Sequence, residues 1–283
     1  MFHTRGRTRG KPKKQFAGVI DCDTPKAFPT GWLIPHCMKT PLILATALSL
    51  ATVAFSAEVP PPADGKWPVH SMDRPRPKVV APQYDGVPVA APADAVVLFD
   101  GKDLAKWKQD GKKDAPDDLP KWKVENGYVE IVRGTGTMVT REAIPGSVHL
   151  HIEWATPAEV KGSSQGRGNS GVFIGGFPEV QVLDSFENDT YPDGQAAALY
   201  GKQPPLVNAC RKPGEWQAYD ITVQRAKVVD GKVVEPARIT VKHNGVLVQD
   251  KVEIGGKGQD GKLSFQDHGN PVRYRNIWYR PLK

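Results

Sequence analysis

From about Ala93 to Lys283 the sequence predicts an all-β fold in which two antiparallel sheets pack as a sandwich or jelly roll. Three observations carry this. Short runs rich in β-branched and aromatic residues recur between clusters of Gly, Pro, Asn and Asp. Asn126-Gly127 and Asn244-Gly245 each sit between alternating runs, a strong signal for a two-residue hairpin. No segment in this region keeps a helical apolar period over three turns. Many short strands at this spacing are the pattern of a sandwich.

The strands are expected in the following order. Val96 to Phe99 ends at the turn Asp100-Gly101, and Trp122 to Val124 turns through Asn126-Gly127 into Tyr128 to Val132. Ser147 to Trp154, Gly171 to Ile174, Glu179 to Leu183 and Trp216 to Gln224 follow. Arg238 to Lys242 turns through Asn244-Gly245 into Val246 to Asp250, and the series closes with Lys262 to Gln266 and Arg273 to Arg280.

The first third of the chain reads differently. Met38-Lys39-Thr40-Pro41 is followed by Leu42 to Phe55, apolar except for small hydroxyl residues, with a small-residue exit at Ala54-Phe55-Ser56. This is the pattern of a secretory signal peptide over residues 38–56. A hydrocarbon core of ~30 Å needs about 20 apolar residues, so no integral span is expected in the mature chain. Residues 1–37, basic and broken by Gly and Pro, are expected to be a non-exported extension, with translation starting at Met38. The product is then periplasmic or extracellular. Residues 57–92 carry nine prolines from Pro60 to Pro92 and few large apolar groups, which predicts an extended linker or wrapping arm, with Trp67 and Tyr84 as possible anchors.

Charge and cysteine usage narrow the function classes. The chain has 38 basic and 31 acidic residues, but 8 of the basic and 2 of the acidic ones fall in residues 1–56, leaving 30 against 29. The basic excess belongs to the leader, so no nucleic-acid partner is expected. Cys22 and Cys37 lie in the leader part too. Cys210 is left alone, which excludes an internal disulfide and a Cys-based metal site in the mature domain.

Candidate functional residues come from strands with alternating polar positions. In His149-Leu150-His151-Ile152-Glu153-Trp154 the period of two sends His149, His151 and Glu153 to one face. That set is compatible with a metal site, a general base with its orienters, or a solvated face. In Glu179-Val180-Gln181-Val182-Leu183-Asp184, Glu179 and Gln181 share a face, and a β-bulge near Val182-Leu183 would bring Asp184 to it. The spacing is similar to the Glu-x-Asp-x-x-Glu strand of laminarinase-type glycosidases. Here Gln replaces the central Asp and Asp the last Glu, which breaks the carboxylate pair of a retaining hydrolase. Two polar, glycine-flanked clusters accompany these strands, Arg167 to Gly171 and Gln266 to Arg273. Glu153, Glu179 and Gln181 are expected to line one concave groove.

The resemblance to a known family rests on blocks in a fixed order. These are His151 to Pro157, Gly168 to Ile174, Glu179 to Ser185, Pro205 to Ala209, Lys212 to Gln217, His243 to Val248 and Gln266 to Arg275, bracketed by Val96 to Gly101 and Asn276-Ile277-Trp278. Together they resemble the 3-keto-disaccharide hydrolase domain family over the whole globular part. The resemblance implies a concanavalin-like jelly roll and a small oligosaccharide or glycoside substrate with a ketone at sugar carbon 3. Such a ketone acidifies the hydrogen on carbon 2, so a base can remove it, the glycosidic oxygen can leave carbon 1, and water can add back. That route needs a base, an acid and donors for the enolate oxygen. The acid/base residues expected are Glu179, Asp184 and His268, with His151, Glu153, Asn169, Gln181, Arg273 and Arg275 positioning the substrate. No cofactor is expected and no metal ligands are assigned, with the question of a divalent ion left open. The alternative is a non-catalytic, lectin-like binding module, since fold alone does not settle function.

Overall fold

Strands with one face turned to a shared apolar core build the computed structural model, which describes residues 67–112, 117–255 and 260–282. The expected extension (1–37), the expected leader (38–56) and the start of the proline-rich stretch lie outside the described residues. The strands are β1 (Lys78–Val79), β2 (Val96–Phe99), β3 (Trp107–Gln109), β4 (Lys123–Glu125), β5 (Tyr128–Glu130) and β6 (Met138–Thr140). Next come β7 (Val148–Ala155), β8 (Ser170–Ile174), β9 (Val180–Val182), β10 (Val207–Asn208), β11 (Gln217–Gln224) and β12 (Lys227–Val229). The last are β13 (Lys232–Glu235), β14 (Arg238–His243), β15 (Val246–Glu253), β16 (Leu263–Phe265) and β17 (Arg273–Pro281).

Two sheets form the sandwich. The larger runs β15-β14-β11-β7-β17-β5-β4, with β2 also on β17, and the smaller runs β3-β6-β16-β8-β9. Their ladders are antiparallel. Leu150, Ile152, Trp154, Tyr219, Ile221 and Ile239 face inward from the larger sheet, and Trp107, Met138, Val172, Val180, Val182 and Phe265 from the smaller. The Phe265 ring stacks on Tyr274 at 4.4 Å and on Trp107 at 5.3 Å, so one aromatic column ties the sheets together.

Both expected hairpins form. Asn126 and Gly127 take φ of 48° and 80°, and Asn244 and Gly245 take 52° and 80°, the two successive left-handed residues that a tight hairpin between twisted strands requires. A third hairpin, β12–β13, turns on Asp230-Gly231 and was not anticipated.

The β8–β9 ladder keeps regular register up to Ser170 opposite Val182 and ends there. Beyond it the Asp184 N–H donates to the Arg167 carbonyl at 3.1 Å, one residue out of that register, and the Asp184 carboxylate is taken up by Arg167. A bulge also lies in β17, where the pairing with β7 shifts between Arg275 and Trp278 and Asn276 takes a φ of 48°.

Residues 67–92 lie along the sandwich. β1 pairs in parallel with β10, the Val80 N–H donates to Asn208 O, and those of Gln83 and Tyr84 donate to Asn244 O. Arg211 donates to Tyr84 O, and Arg275 Nη2 donates to Gly86 O at 2.7 Å. The arm thus exchanges its backbone groups with fixed partners over most of its length, as buried backbone must.

Candidate active site on the smaller sheet

Inward packing of Val172, Ile174, Val180 and Val182 leaves Gly171, Phe173 and Gln181 on the outer face of the smaller sheet, and Glu179 two residues before Gln181 joins them. Gly171 has a steric reason. A β-carbon at that position would collide with Glu179 Oε1, so the bare backbone of β8 gives the carboxyl room to lie across the strand. No hydrogen bond or ion pair among the described residues engages that carboxyl. Burial alone pushes it up to about 7.

An amide chain runs beside it. Gln181 Nε2 donates to Gln165 Oε1 at 2.8 Å, and Gln165 Nε2 donates to Thr190 Oγ1 at 2.7 Å and to Gly194 O at 3.0 Å. Asn169 Nδ2 donates to Gln165 O at 2.7 Å. Among the described residues the buried Gln181 Oε1 accepts no hydrogen bond, so this row of amides keeps an unused acceptor for a ligand. On the other flank the Tyr191 and Tyr200 hydroxyls are 2.7 Å apart, and the Tyr200 N–H donates to Glu179 O at 3.0 Å. Tyr191 is held well above the usual phenol range by burial first, then by Tyr200, Asp193 and Glu179. One carboxyl near neutrality, two phenols and three amides gathered on a half-buried sheet face can exchange protons and hydrogen-bond hydroxyls.

The structure separates the expected site residues into three groups. Glu179, Gln181 and Asn169 meet on this face. Asp184 is buried against Arg167, whose Nε donates to it at 2.7 Å, and it also accepts from the Phe186 N–H at 3.1 Å. His268 is exposed on the loop after β16, the loop whose Asn270 accepts from the Asn169 N–H at 2.9 Å.

The third group corrects the shared-groove expectation. Because Leu150, Ile152, Trp154 and Tyr274 point into the core, His151, Glu153, Arg273 and Arg275 lie on the outer face of the larger sheet, away from Glu179. Glu153 is fully buried there. It accepts from Arg275 Nε at 2.6 Å, from Asn276 Nδ2 at 2.7 Å and from the Val89 N–H at 2.9 Å, with His151 Nε2 at 3.4 Å. Burial would push the carboxyl up, but the bonds from His151, Asn276, Val89 and Arg275 outweigh it and hold it at about 2. Burial would likewise lower the His151 imidazole, and hydrogen bonds to Asp220 and Glu153 outweigh it and raise it. Arg273 donates to Glu130 Oε2 at 2.6 Å and lies over the Tyr128 ring, and Arg275 lies 4.0 Å over Trp216. These groups fix the arm and the sheet.

A cleft of about 640 Å³ opens on this same outer face, lined by His149, Asp220, Thr222, Thr240, Lys242 and Arg280. Its Asp220 already bridges His149 and His151 at 3.0 and 2.9 Å. The Glu179 face is the better acid/base candidate, since its carboxyl is free to change protonation near neutral pH. Among the described residues no cluster of three His, Cys, Asp or Glu has metal-binding geometry.

Sequence reading did not reach Gln165, Tyr191, Tyr200 or His70. The first three come from irregular segments between strands, where no periodicity marks a face. The signal available was the density of aromatic and amide residues in such segments, where functional groups concentrate.

The fold and this face define an antiparallel β-sandwich protein that carries a titratable, amide-lined site on its smaller sheet. The family described as "3-keto-alpha-glucoside-1,2-lyase-like domain" matches residues 94–280, and the chain belongs to that family. A 3-keto-disaccharide hydrolase of Bacteroides thetaiotaomicron is 28% identical over 257 residues, covering 71% of this chain and 83% of that protein. Among solved structures, a candidate glycosyl hydrolase from Parabacteroides distasonis is 37% identical with a TM-score of 0.62, covering 74% of this chain and 93% of its own. A second from the same organism shares the fold at 20% identity and a TM-score of 0.51, covering 67% and 94%.

Proposed function

We propose that this protein cleaves the glycosidic bond of 3-keto-disaccharides or related 3-keto-glycosides by elimination followed by hydration, with Glu179 as the base. The observation that carries this reading is the Glu179 carboxyl, held at about 7 and half-buried on the outer side of the smaller sheet beside hydroxyl and amide groups. A base with a pKa near the working pH combines enough ionised form with enough affinity for the proton.

In the first step Glu179 takes the proton from carbon 2, the electron pair forms the second bond between carbons 1 and 2, and the bond from carbon 1 to the glycosidic oxygen breaks. The leaving oxygen takes a proton from solvent and departs as the alcohol. Water then adds its oxygen to carbon 1 and releases one proton to solvent, while Glu179, whose proton has exchanged with solvent, delivers one to carbon 2, so the sum is hydrolysis. Donors at the ketone oxygen stabilise the charge that develops there, and the Tyr191–Tyr200 hydroxyl pair, with one O–H left over after the two bond each other, supplies one beside Glu179. A single carboxylate suffices, which fits Gln181 standing where a two-carboxylate glycosidase would carry an acid. The leader-like residues 38–56 support export, with a mature chain starting near Ala57.

The test is incubation of purified protein with 3-keto-trehalose, 3-keto-sucrose and the unoxidised parents. Cleavage of the keto sugars alone, with deuterium from heavy water appearing at carbon 2, supports the reading. Equal cleavage of the unoxidised sugars overturns it, and binding without turnover of any of them favours the lectin-like alternative.

A further inference from the structure

His70 lies on the arm, outside residues 94–280 that match the family, yet it packs against the Glu179 face. Its ring stacks on Tyr191 with centroids 4.1 Å apart and planes 23° apart, and meets Tyr200 at 5.0 Å and 59°. The two hydroxyls that it braces are hydrogen-bonded to each other at 2.7 Å. The backbone that carries the ring is anchored, since the His70 N–H donates to Asp193 Oδ2 at 3.0 Å. His70 takes a φ of 63°, a left-handed conformation that is costly for a residue with a β-carbon.

Strain of this kind persists where surrounding contacts over-determine it, and it concentrates at functional sites. The other side of Tyr191 is equally confined. A β-carbon on Gly194 would collide with its ring and approach Gln165 Nε2, the amide that reaches Gln181. Tyr191 is therefore clamped between the arm's imidazole and the amide row. Without the arm one face of the ring would be open and the phenol free to rotate.

We propose that His70 is a positioning residue of the active site: the arm delivers its ring to fix the Tyr191–Tyr200 hydroxyl pair beside Glu179, so the working site is a composite of arm and sandwich. This rests on the proposed function for its activity readout and has a second readout that does not. The ring face, more than its nitrogens, does the positioning. Nε2 is buried and makes no hydrogen bond among the described residues.

The experiment uses the full chain with His70→Leu, which fills the space without an aromatic face, and His70→Phe, which restores the face. On a 3-keto-disaccharide, His70→Leu is expected to lose about 10- to 100-fold in kcat with KM little changed, the size of effect that slight misplacement of an active-site group produces. His70→Phe is expected to recover to within about threefold of the parent, the residue of imperfect packing. Parent-like kcat in His70→Leu, or a loss that His70→Phe does not recover, overturns the proposal. The independent readout is ultraviolet difference titration of the phenols, with Tyr191→Phe identifying the Tyr191 signal. Tyr191 faces Tyr200, Asp193 and Glu179, and its ionisation is expected to move to lower pH in His70→Leu but not in His70→Phe. If the parent cleaves no 3-keto sugar, the functional reading fails while this titration still decides the proposal. No movement in His70→Leu overturns it.

Discussion

At the scale of single residues, the environment of Glu179 sets both its use and its cost. Its carboxyl titrates at about 7 in the fold against a reference value of 4.5, so the fold binds its proton more tightly than the unfolded chain does. Its contribution to stability is fully present below the unfolded value and is lost as pH rises through about 7. Glu179→Gln is therefore expected to raise the melting temperature over the parent at pH 8 and to give no gain at pH 4, by calorimetry at both. The same change is expected to lower turnover by roughly 10²–10⁴, the contribution of a positioned general base. Gly171→Ala tests the same geometry from the neighbouring strand. The added methyl displaces the carboxyl, and turnover is expected to fall by about tenfold or more while binding of the unoxidised disaccharide persists. That Glu179 and Gln181 share a face was legible from alternation with Val180 and Val182. The neutral-range pKa was not, because it arises from burial by groups distant in sequence.

Among the structural elements, the arm and β17 depend on one buried carboxylate. Glu153 joins three segments: its own strand, the bulged residues Arg275 and Asn276, and the Val89 N–H of the arm. Removing it in Glu153→Ala leaves the Arg275 guanidinium without its carboxylate partner, and breaking a buried pair in this way costs about 3–5 kcal/mol. Hydrogen exchange at Val89 is expected to accelerate in this variant together with the fall in melting temperature. Period-two reasoning placed His149, His151 and Glu153 on one face, and the structure keeps them there. It could not say which sheet that face belongs to. Alternation is a property within a strand, whereas the separation of Glu153 from Glu179 follows from long-range pairing of β7 with β11 and β17. The β17 bulge was equally hidden, because nothing in Arg275-Asn276-Ile277 marks an inserted residue apart from an Asn that tolerates a left-handed backbone.

For the whole molecule, acid is expected to attack the larger sheet in stages. Burial pushes the His243 imidazole down to about 3 from 6.5, so the unfolded chain binds a proton there that the fold refuses, and stability falls as pH drops from about 6.5 toward 3. Glu153, depressed to about 2, contributes stability that is present above 4.5 and lost as pH falls through about 2. Chemical denaturation across pH 2 to 8 is expected to show loss beginning below about 6.5 and deepening below about 4, with the second stage reduced in Glu153→Gln. The sandwich itself was legible from the sequence because hairpin turns and alternation are local. The docking of residues 67–92 was legible only as one of two readings, a wrapping arm or a linker, because a proline-rich stretch reads alike whether it hangs free or borrows partners from elsewhere. Tyr84, one of the two anchors named, is held by Arg211 and Arg275.

The position of β17 constrains the order in which the chain can be finished. It follows every other described strand in the chain, yet it lies inside the larger sheet between β7 and β5, and it carries the Arg275 and Asn276 that hold the arm. The carbonyls of Gly86 and Val89, made long before, have no side-chain partner until β17 docks. A ribosome holding back β17 would therefore hold the sheet open with β7 and β5 unjoined, and a chain cut before Arg273 would lose both its central ladder and part of the clasp on its arm. Docking of β17 acts as a checkpoint on the arm, so a stop codon just ahead of Arg273 should yield protein that is degraded instead of protein that is merely less active.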